Sequence, residues 1–206
     1  MTDEVLPPAG EEPHPAITEL LANVMIDEAT LSYFRSLFKE SDRGAVLISA
    51  TRLEEKLELL HRTHITHQVA DPKKVLEELF RPYAPLSSFS AKIQLAYAYG
   101  LIDAEDYADL NIIRKIRNDA AHTSVEFSFE PPEIAQKITH LKAPGRMIPM
   151  LTMMSDLFAE QELAELKDPK VAQAHPKLYY ILACLALETR IVTHTAGLGT
   201  AQAESE

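Results

Sequence analysis

The stretch AVLISATRLEEKLELL, residues 45–60, decides the fold prediction for this chain. Its apolar residues recur at steps of four and three and therefore form one stripe along a long helix. The stripe consists of Val46, Ala50, Leu53, Leu57 and Leu60. The charged run RLEEKLELLHR (52–62) predicts a solvated face on which opposite charges pair locally. Asp42 is the predicted N-cap of this helix.

Helical spacing of the apolar residues continues through most of the chain. Further helices are predicted over 17–25, 31–39, 73–80, 88–100, 103–122 and 131–141, and a long last helix is entered at Pro176. Ser88 or Ser90 and then Asp103 are the predicted caps, and Gly100 is a predicted helix stop. Residues 125–130, VEFSFE, alternate in polarity and predict a short extended piece.

These elements predict an all-α fold, a single-domain helical bundle of about seven helices. The helical domain is expected over residues 15–195, with C-terminal helices over about 145–195. Residues 1–14 are rich in proline and glutamate, and residues 196–206 read GLGTAQAESE from Gly197 on. Both ends are therefore predicted to be disordered tails.

Composition lowers the prospect of direct DNA binding. The formal net charge is -11, from 20 Lys and Arg against 31 Asp and Glu. Affinity for duplex DNA depends on clustered cations that displace counterions from phosphates. Lys73 and Lys74 are adjacent in DPKK, yet the chain contains no helix-turn-helix with a basic second helix. Direct reading of an operator is therefore doubtful.

The sequence also predicts a cytoplasmic location. The N-terminus has no basic region followed by an apolar region, so it does not resemble a secretory signal. No run of about 18 apolar residues is present, and no membrane span is expected. Cys184, the single cysteine, lies in LYYILACLAL and is predicted to be a small buried hydrophobe.

The histidines of the first long helix invite a metal interpretation. His61 and His64 share a helix face, but His67 lies about 120° away from His61 around the axis. No carboxylate or thiolate partner stands at ligand spacing. Solvated or helix-end histidines are therefore the preferred interpretation, and neither a metal site nor a cofactor is predicted.

The segment IRKIRNDAAH, residues 113–122, carries the main candidate for catalysis. On a helical wheel Arg114, Asn118 and His122 follow one flank, and Arg117 lies at the border of the buried face. A histidine near a helix C-terminus also has an ordinary explanation in the helix dipole. The spacing alone is not specific, because Arg62 and His67 also satisfy it.

This segment resembles the HEPN superfamily, whose ribonucleases carry an Arg-(four to six)-His motif with a polar residue after the Arg. The resemblance implies a metal-independent ribonuclease or toxin acting on RNA. Arg117 would stabilise charge on the phosphate and His122 would transfer the 2′-hydroxyl proton. Arg114 and Asn118 would support them. Two copies of the motif usually pair across a dimer in that superfamily.

A wider resemblance covers residues 41–134, in three blocks of sequence that occur in order. The blocks are AVLISATRLEEKLELL, then VLEELFRPYAPLSSFSAKIQLAYAYGLIDAEDYADLNIIRKIRNDAAH, then FSFEPPEI. Its hallmarks are Pro85-Leu86, Lys92, Tyr97, Gly100 and the pair Asp106-Tyr107. This order resembles the mannitol operon repressor family.

Resemblance to that family implies a transcriptional regulator. Because the chain is acidic and has no recognition helix, we expect it to act through a protein partner rather than by binding DNA. A homodimer is also expected, since the stripe Val46 to Leu60 and the run Leu178 to Leu187 together offer more apolar surface than we expect one small bundle to bury.

Overall fold

The computed structural model describes residues 28–124, 126–146 and 174–203. Within these residues the chain forms helices and no strands, which confirms the predicted all-α class. The helices are α1 (Glu28–Lys39), α2 (Asp42–Gln68), α3 (Pro72–Phe80), α4 (Phe89–Ala98), α5 (Ala104–His122), α6 (Pro132–Thr139) and α7 (Pro176–Ala203). The helix predicted over 17–25 lies outside the described residues, as do residues 147–173 and the first 14 residues.

The predicted stripe of α2 is the centre of the core. Val46, Ala50, Leu53, Leu57 and Leu60 are each at most 1% exposed. Helix α2 packs against α1, α3, α4, α5 and α7, and its contact with α7 is the most extensive of these. Burying a valine or leucine side chain contributes about 1.5–3 kcal/mol, so the four larger side chains of this stripe contribute about 6–12 kcal/mol to folding.

The first half of α7 is the second buried element of the bundle. Tyr179 to Leu187 are buried without a break, and Ile191 follows one turn later. By length and hydropathy alone the stretch Pro176–Gly199 could cross a bilayer, but half of it is buried inside the bundle. The dimer prediction was based on two apolar stretches, Val46 to Leu60 and Leu178 to Leu187. These stretches pack against each other within one copy and leave little of their apolar surface for a second copy of the chain. The dimer prediction itself stays open.

The helix ends follow the predicted cap chemistry with one correction. Ser41, not Asp42, caps α2, because its hydroxyl accepts the N–H of Gly44 at 3.1 Å. The Asp42 carboxylate instead accepts the N–H of Phe129 at 3.0 Å. Ser88 caps α4 and Asp103 caps α5, and both side chains accept an N–H from the first helical turn.

Gly100 ends α4 as predicted, in the left-handed conformation at φ +69°. Its N–H donates to the carbonyl of Tyr97 at 3.0 Å, and the N–H of Leu101 donates to that of Ala96 at 2.8 Å. This is the hydrogen-bond pattern of a Schellman motif, which favours glycine at this position. The stop directs the chain into α5.

The structure differs from the predictions for the segment 125–130 and for the end of the last helix. Residues 126–130 form no strand, although Phe127 and Phe129 are buried and Ser128 and Glu130 between and after them are not. The alternation therefore describes side-chain burial in an irregular segment. Helix α7 continues to Ala203, so the expected domain boundary at residue 195 falls inside a helix and the predicted tail 196–206 is helical over most of its length.

Candidate functional site

Helix α5 holds the predicted Arg-His segment, and its inner face is as predicted. Leu110, Ile113, Ile116 and Ala120 are fully buried. Asp103 accepts the N–H of Asp106 at 2.8 Å and thereby fixes where the helix begins. Since the inner face fixes the rotation of α5, the direction of every polar side chain on it is fixed too.

Arg117 and His122 are placed on different sides of this helix. Helix α5 is continuous through His122, so the two residues lie about 140° apart around the axis and about 7.5 Å apart along it. The guanidinium of Arg117 is half-buried and donates to Asn118 Oδ1 at 3.2 Å, whereas His122 is exposed in the last turn. No hydrogen bond joins Arg117 to His122 in the described part of the chain. One copy of the chain therefore does not bring the pair together.

The remaining polar residues of this segment have local partners. Arg114 Nε donates to Asn111 Oδ1 at 3.4 Å, and Lys137 of α6 pairs with Asp119. Lys115 is exposed. The outer side of α5 thus carries a modest patch of positive charge from Arg114, Lys115 and Arg117.

The histidines of α2 lie in different environments, and His61 is not the solvated or helix-end histidine that the sequence predicted. His61 is completely buried, and its Nε2 lies 2.8 Å from the carbonyl oxygen of Lys92. Burial lowers the pKa of His61, because the charged imidazolium would lose its hydration. The His64 ring lies 5.4 Å from that of Tyr99. No three His, Cys, Asp or Glu side chains among the described residues are arranged to hold a metal ion.

The charged run of α2 was predicted to be a solvated face with local pairing. The local pair Arg62–Glu58 is present, but the run also forms ion pairs with two other helices, so the prediction of a solvated face was wrong in that part. Lys92 of α4 is buried, and its ammonium lies 3.0 Å from Glu54 and 3.0 Å from Glu58. Glu188 of α7 is buried too, and the Arg52 guanidinium donates to both of its oxygens at 2.7 and 2.8 Å. Each pair joins α2 to a neighbouring helix.

A second ionic cluster joins the start of α5 to α7. Arg190 donates to Asp103 at 2.6 Å and to Asp106 at 3.0 Å, and Arg146 donates to Asp106 at 2.7 Å. Although partial burial raises it, the pKa of Asp103 is lowered overall by the N–H of Asp106 and by the two arginines. Arg146 and Arg190 are thereby both held at one buried carboxylate, that of Asp106.

Asp109, one turn further along α5, binds backbone instead. Its carboxylate is fully buried and accepts the N–H groups of Lys142 and Ala143 at 2.6 to 3.1 Å. Burial raises the pKa of Asp109 even though these N–H groups oppose the change. Its chemistry is that of a structural anchor, since both of its oxygens are occupied.

Cys184 is inert, as the sequence predicted. Burial raises the pKa of its thiol to about 12, so thiolate is scarce at neutral pH. Its surroundings are more polar than predicted, because Ser49 and the Tyr180 hydroxyl lie next to it. This cluster is closed to solvent.

Comparison with protein families places this helical bundle. The family model described as Mannitol repressor matches residues 22–190, most of the chain. The chain belongs to the mannitol repressor family. Comparison with curated proteins gives no match.

The mannitol repressor match extends beyond the region of resemblance seen in the sequence. It includes α1 and most of α7 besides residues 41–134, so the ionic contacts of Glu188 and Arg190 lie within it. The family domain therefore extends over all the described helices up to residue 190 of α7, and not over the middle of the bundle alone. The predicted site residues Arg114, Arg117, Asn118 and His122 also lie inside the matched region.

Proposed function

We propose that this protein is a cytoplasmic repressor of transcription, and that it acts as a homodimer through a protein partner rather than by reading DNA itself. Membership of the mannitol repressor family carries the proposal of a repressor. The most direct candidate for its target is a set of genes for mannitol use. The mode of action rests on the electrostatics of the surface.

About half of the lysines and arginines in the described part of the chain form ion pairs with carboxylates of the same chain. Described pairs include Arg52–Glu188, Arg62–Glu58, Lys92–Glu54, Lys137–Asp119, Arg146–Asp106, Lys177–Asp42 and Arg190–Asp103. A recognition helix needs several free cations on one exposed face. The described helix with three neighbouring cations is α5, and of Arg114, Lys115 and Arg117 only Lys115 is exposed. The formal net charge of -11 repels a phosphate backbone as well.

Expression in the source cell tests the proposal. Deleting the gene should raise the transcripts of mannitol-uptake genes in the absence of mannitol, and the wild-type gene supplied in trans should restore repression. Affinity purification from the same cells should recover a protein partner, and the purified chain alone should leave the promoter fragment unshifted. Unchanged transcripts would count against the repressor, and a sequence-selective shift by the protein alone would count against the indirect mode of action.

Ribonuclease activity through Arg117 and His122 is the second candidate. Its support is the accessibility of His122 and the cluster of Arg114, Lys115 and Arg117 along one helix. Because the pair lies about 140° apart around α5, one copy would have to supply Arg117 and another His122. This function would need RNA to bind an acidic protein, and it therefore ranks below repression.

A further inference from the structure

We propose that two copies of the chain associate through the outer face of α2, antiparallel and around a twofold axis between positions 58 and 59. This inference rests on the proposed homodimer and supplies its interface. It starts from a second stripe on α2, on the side opposite the buried one.

The outer stripe of α2 is exposed along the helix except at Arg62, which is half-buried. Its members recur at steps of three and four and are Ile48, Thr51, Glu55, Leu59, Arg62, Thr66 and the C-cap residue Val69. This spacing is the heptad pattern of helices that pair along a seam. From Ile48 to Val69 the stripe is about 31 Å long at 1.5 Å per residue.

Large apolar side chains stand in the middle and at both ends of the outer stripe. Leu59 is 49% exposed, Ile48 is 40% exposed and Val69 is 37% exposed. These three are among the few large hydrophobic residues that the described bundle leaves open to solvent. A helix that already buries one complete face has no need of a second apolar row for its own fold.

The outer stripe is complementary to itself when it is reversed. In the antiparallel register Ile48 faces the partner's Val69, Thr51 faces the partner's Thr66, and Glu55 faces the partner's Arg62. Leu59 and the partner's Leu59 meet next to the axis. A twofold axis repeats each contact, so the dimer contains two apolar end pairs, two ion pairs and one central apolar contact.

The charges favour a second copy over an unrelated partner. Glu55 is exposed, and the side chain of Arg62 is 40% exposed although it also pairs with Glu58. Two chains of net charge -11 repel each other at long range, so their contact needs locally opposite charges. The reversed stripe provides them at equal distances from the axis on both sides.

A recess in the surface coincides with one half of the outer stripe. It has a volume of about 390 Å³, and its lining includes Ile48, Thr51 and Glu55 together with Tyr33 of α1. In the antiparallel dimer this recess receives the end of the partner's α2 that carries Arg62 and Val69. The concave half of one copy thus meets the projecting half of the other.

Charge reversal gives a sharp test with the full-length chain. Light scattering and sedimentation at micromolar concentration should give twice the chain mass of 23.0 kDa for the wild type. Glu55→Arg and Arg62→Glu should each raise the Kd of the dimer at least about tenfold, because each places like charges opposite one another twice. Lys115→Glu, a reversal on the exposed side of α5, should leave the Kd unchanged.

Restoration separates the interface from simple misfolding. Mixing Glu55→Arg protein with Arg62→Glu protein should produce a heterodimer, because one chain then carries two cations and the other two anions at the facing positions. The double variant Glu55→Arg/Arg62→Glu should dimerise again by itself. Failure of both restorations in folded protein would overturn the register.

A cross-link provides an independent check. Leu59→Cys should form an intermolecular disulfide under mild oxidation, while the buried Cys184 contributes no background. Lys115→Cys should remain reduced. A monomeric wild type, or a dimer that all these changes leave intact, would overturn the proposal. Loss of repression with an intact dimer would instead speak against the function and not the interface.

Discussion

Removing the charge of Lys92 should destabilise the protein much less than removing the charges of its two partners, Glu54 and Glu58. The experiment compares Lys92→Met with the double variant Glu54→Gln/Glu58→Gln, which removes both negative charges and keeps the side-chain shapes. The Lys92 side chain is 6% exposed, whereas those of Glu54 and Glu58 are 22% and 31% exposed. Removing the cation therefore leaves two carboxylates that water can reach, and removing the anions leaves an ammonium that water cannot.

The magnitudes follow from this asymmetry. A buried charge that loses its partners destabilises a protein by about 3–5 kcal/mol. We expect a loss of about 3 kcal/mol for the double glutamine variant. Lys92→Met keeps the volume and should lose less than about 1.5 kcal/mol.

Chemical and thermal denaturation followed by circular dichroism measure the difference. For a chain of this size about 3 kcal/mol corresponds to a decrease in Tm of roughly 6–12 °C. Lys137→Ala is the control, because its pair with Asp119 is 35% and 44% exposed and a surface pair contributes at most about 1 kcal/mol. If Lys92→Met proved as destabilising as the double variant, the argument from unequal exposure would be refuted.

Three further predictions concern nucleic acids and pH. Purified protein should bind generic duplex DNA no better than an acidic bystander at physiological salt, and sub-micromolar, sequence-selective binding in a gel shift would contradict this. Arg117→Ala and His122→Ala should leave RNA cleavage at background with at most about 1 kcal/mol lost in stability; metal-free cleavage by the wild type that folded His122→Ala lacks would reverse the conclusion. Because burial lowers the pKa of His61, the unfolded chain binds its proton more readily. The contribution of His61 to the free energy of unfolding should be fully present above about pH 6.5 and should fall as the pH drops below that value. In His61→Gln the free energy of unfolding should therefore depend less on pH between about pH 5 and 7.

The sequence predicted the features that depend on one helix at a time. The stripe Val46 to Leu60 and the inner face of α5 are buried as expected, because helical periodicity records which side faces the core. Gly100 and Asp103 act as predicted, since their roles depend on neighbours within a few residues. The side chains of Ser41 and Asp42 are both of a type that caps helices. Ser41 is the cap because the Asp42 carboxylate accepts the N–H of Phe129, a contact 87 positions away in sequence that local patterns do not record.

The contacts between helices could not be predicted in the same way. Arg52 and Glu188 are 136 positions apart, and local spacing in the run 52–62 favours pairs along one helix instead. A signal did exist, because Lys92 and Glu188 are single charges next to mostly apolar runs, IQLAYAY and LYYILACLAL. A lone charge on a buried face needs a partner, and α2 carries charges of both signs that can provide it.

The length of α7 shows how context overrides propensity. Gly197 and Gly199 suggested a tail, since glycine inside a helix costs about 1 kcal/mol relative to alanine. The helix nevertheless continues to Ala203, and Leu198 between the two glycines packs against the core. Extending an existing helix requires no new nucleation, so one apolar contact per turn can offset the two glycines.

Helix α2 explains how a single element can serve both the fold and an assembly. Its inner stripe is apolar and already complete, and its flanks are occupied by the pairs to Lys92 and Glu188. The charges on the flanks therefore fix the rotation of α2, which fixes in turn which residues face outward. If the outer stripe is an interface, weakening a flank should also weaken the dimer, because Leu59 would no longer be directed at the axis. The variant Glu54→Gln/Glu58→Gln should then raise the dimer Kd, while the surface control Lys137→Ala leaves it unchanged. If light scattering gave the same dimer Kd for both variants, formation of the dimer would not depend on the rotation of α2.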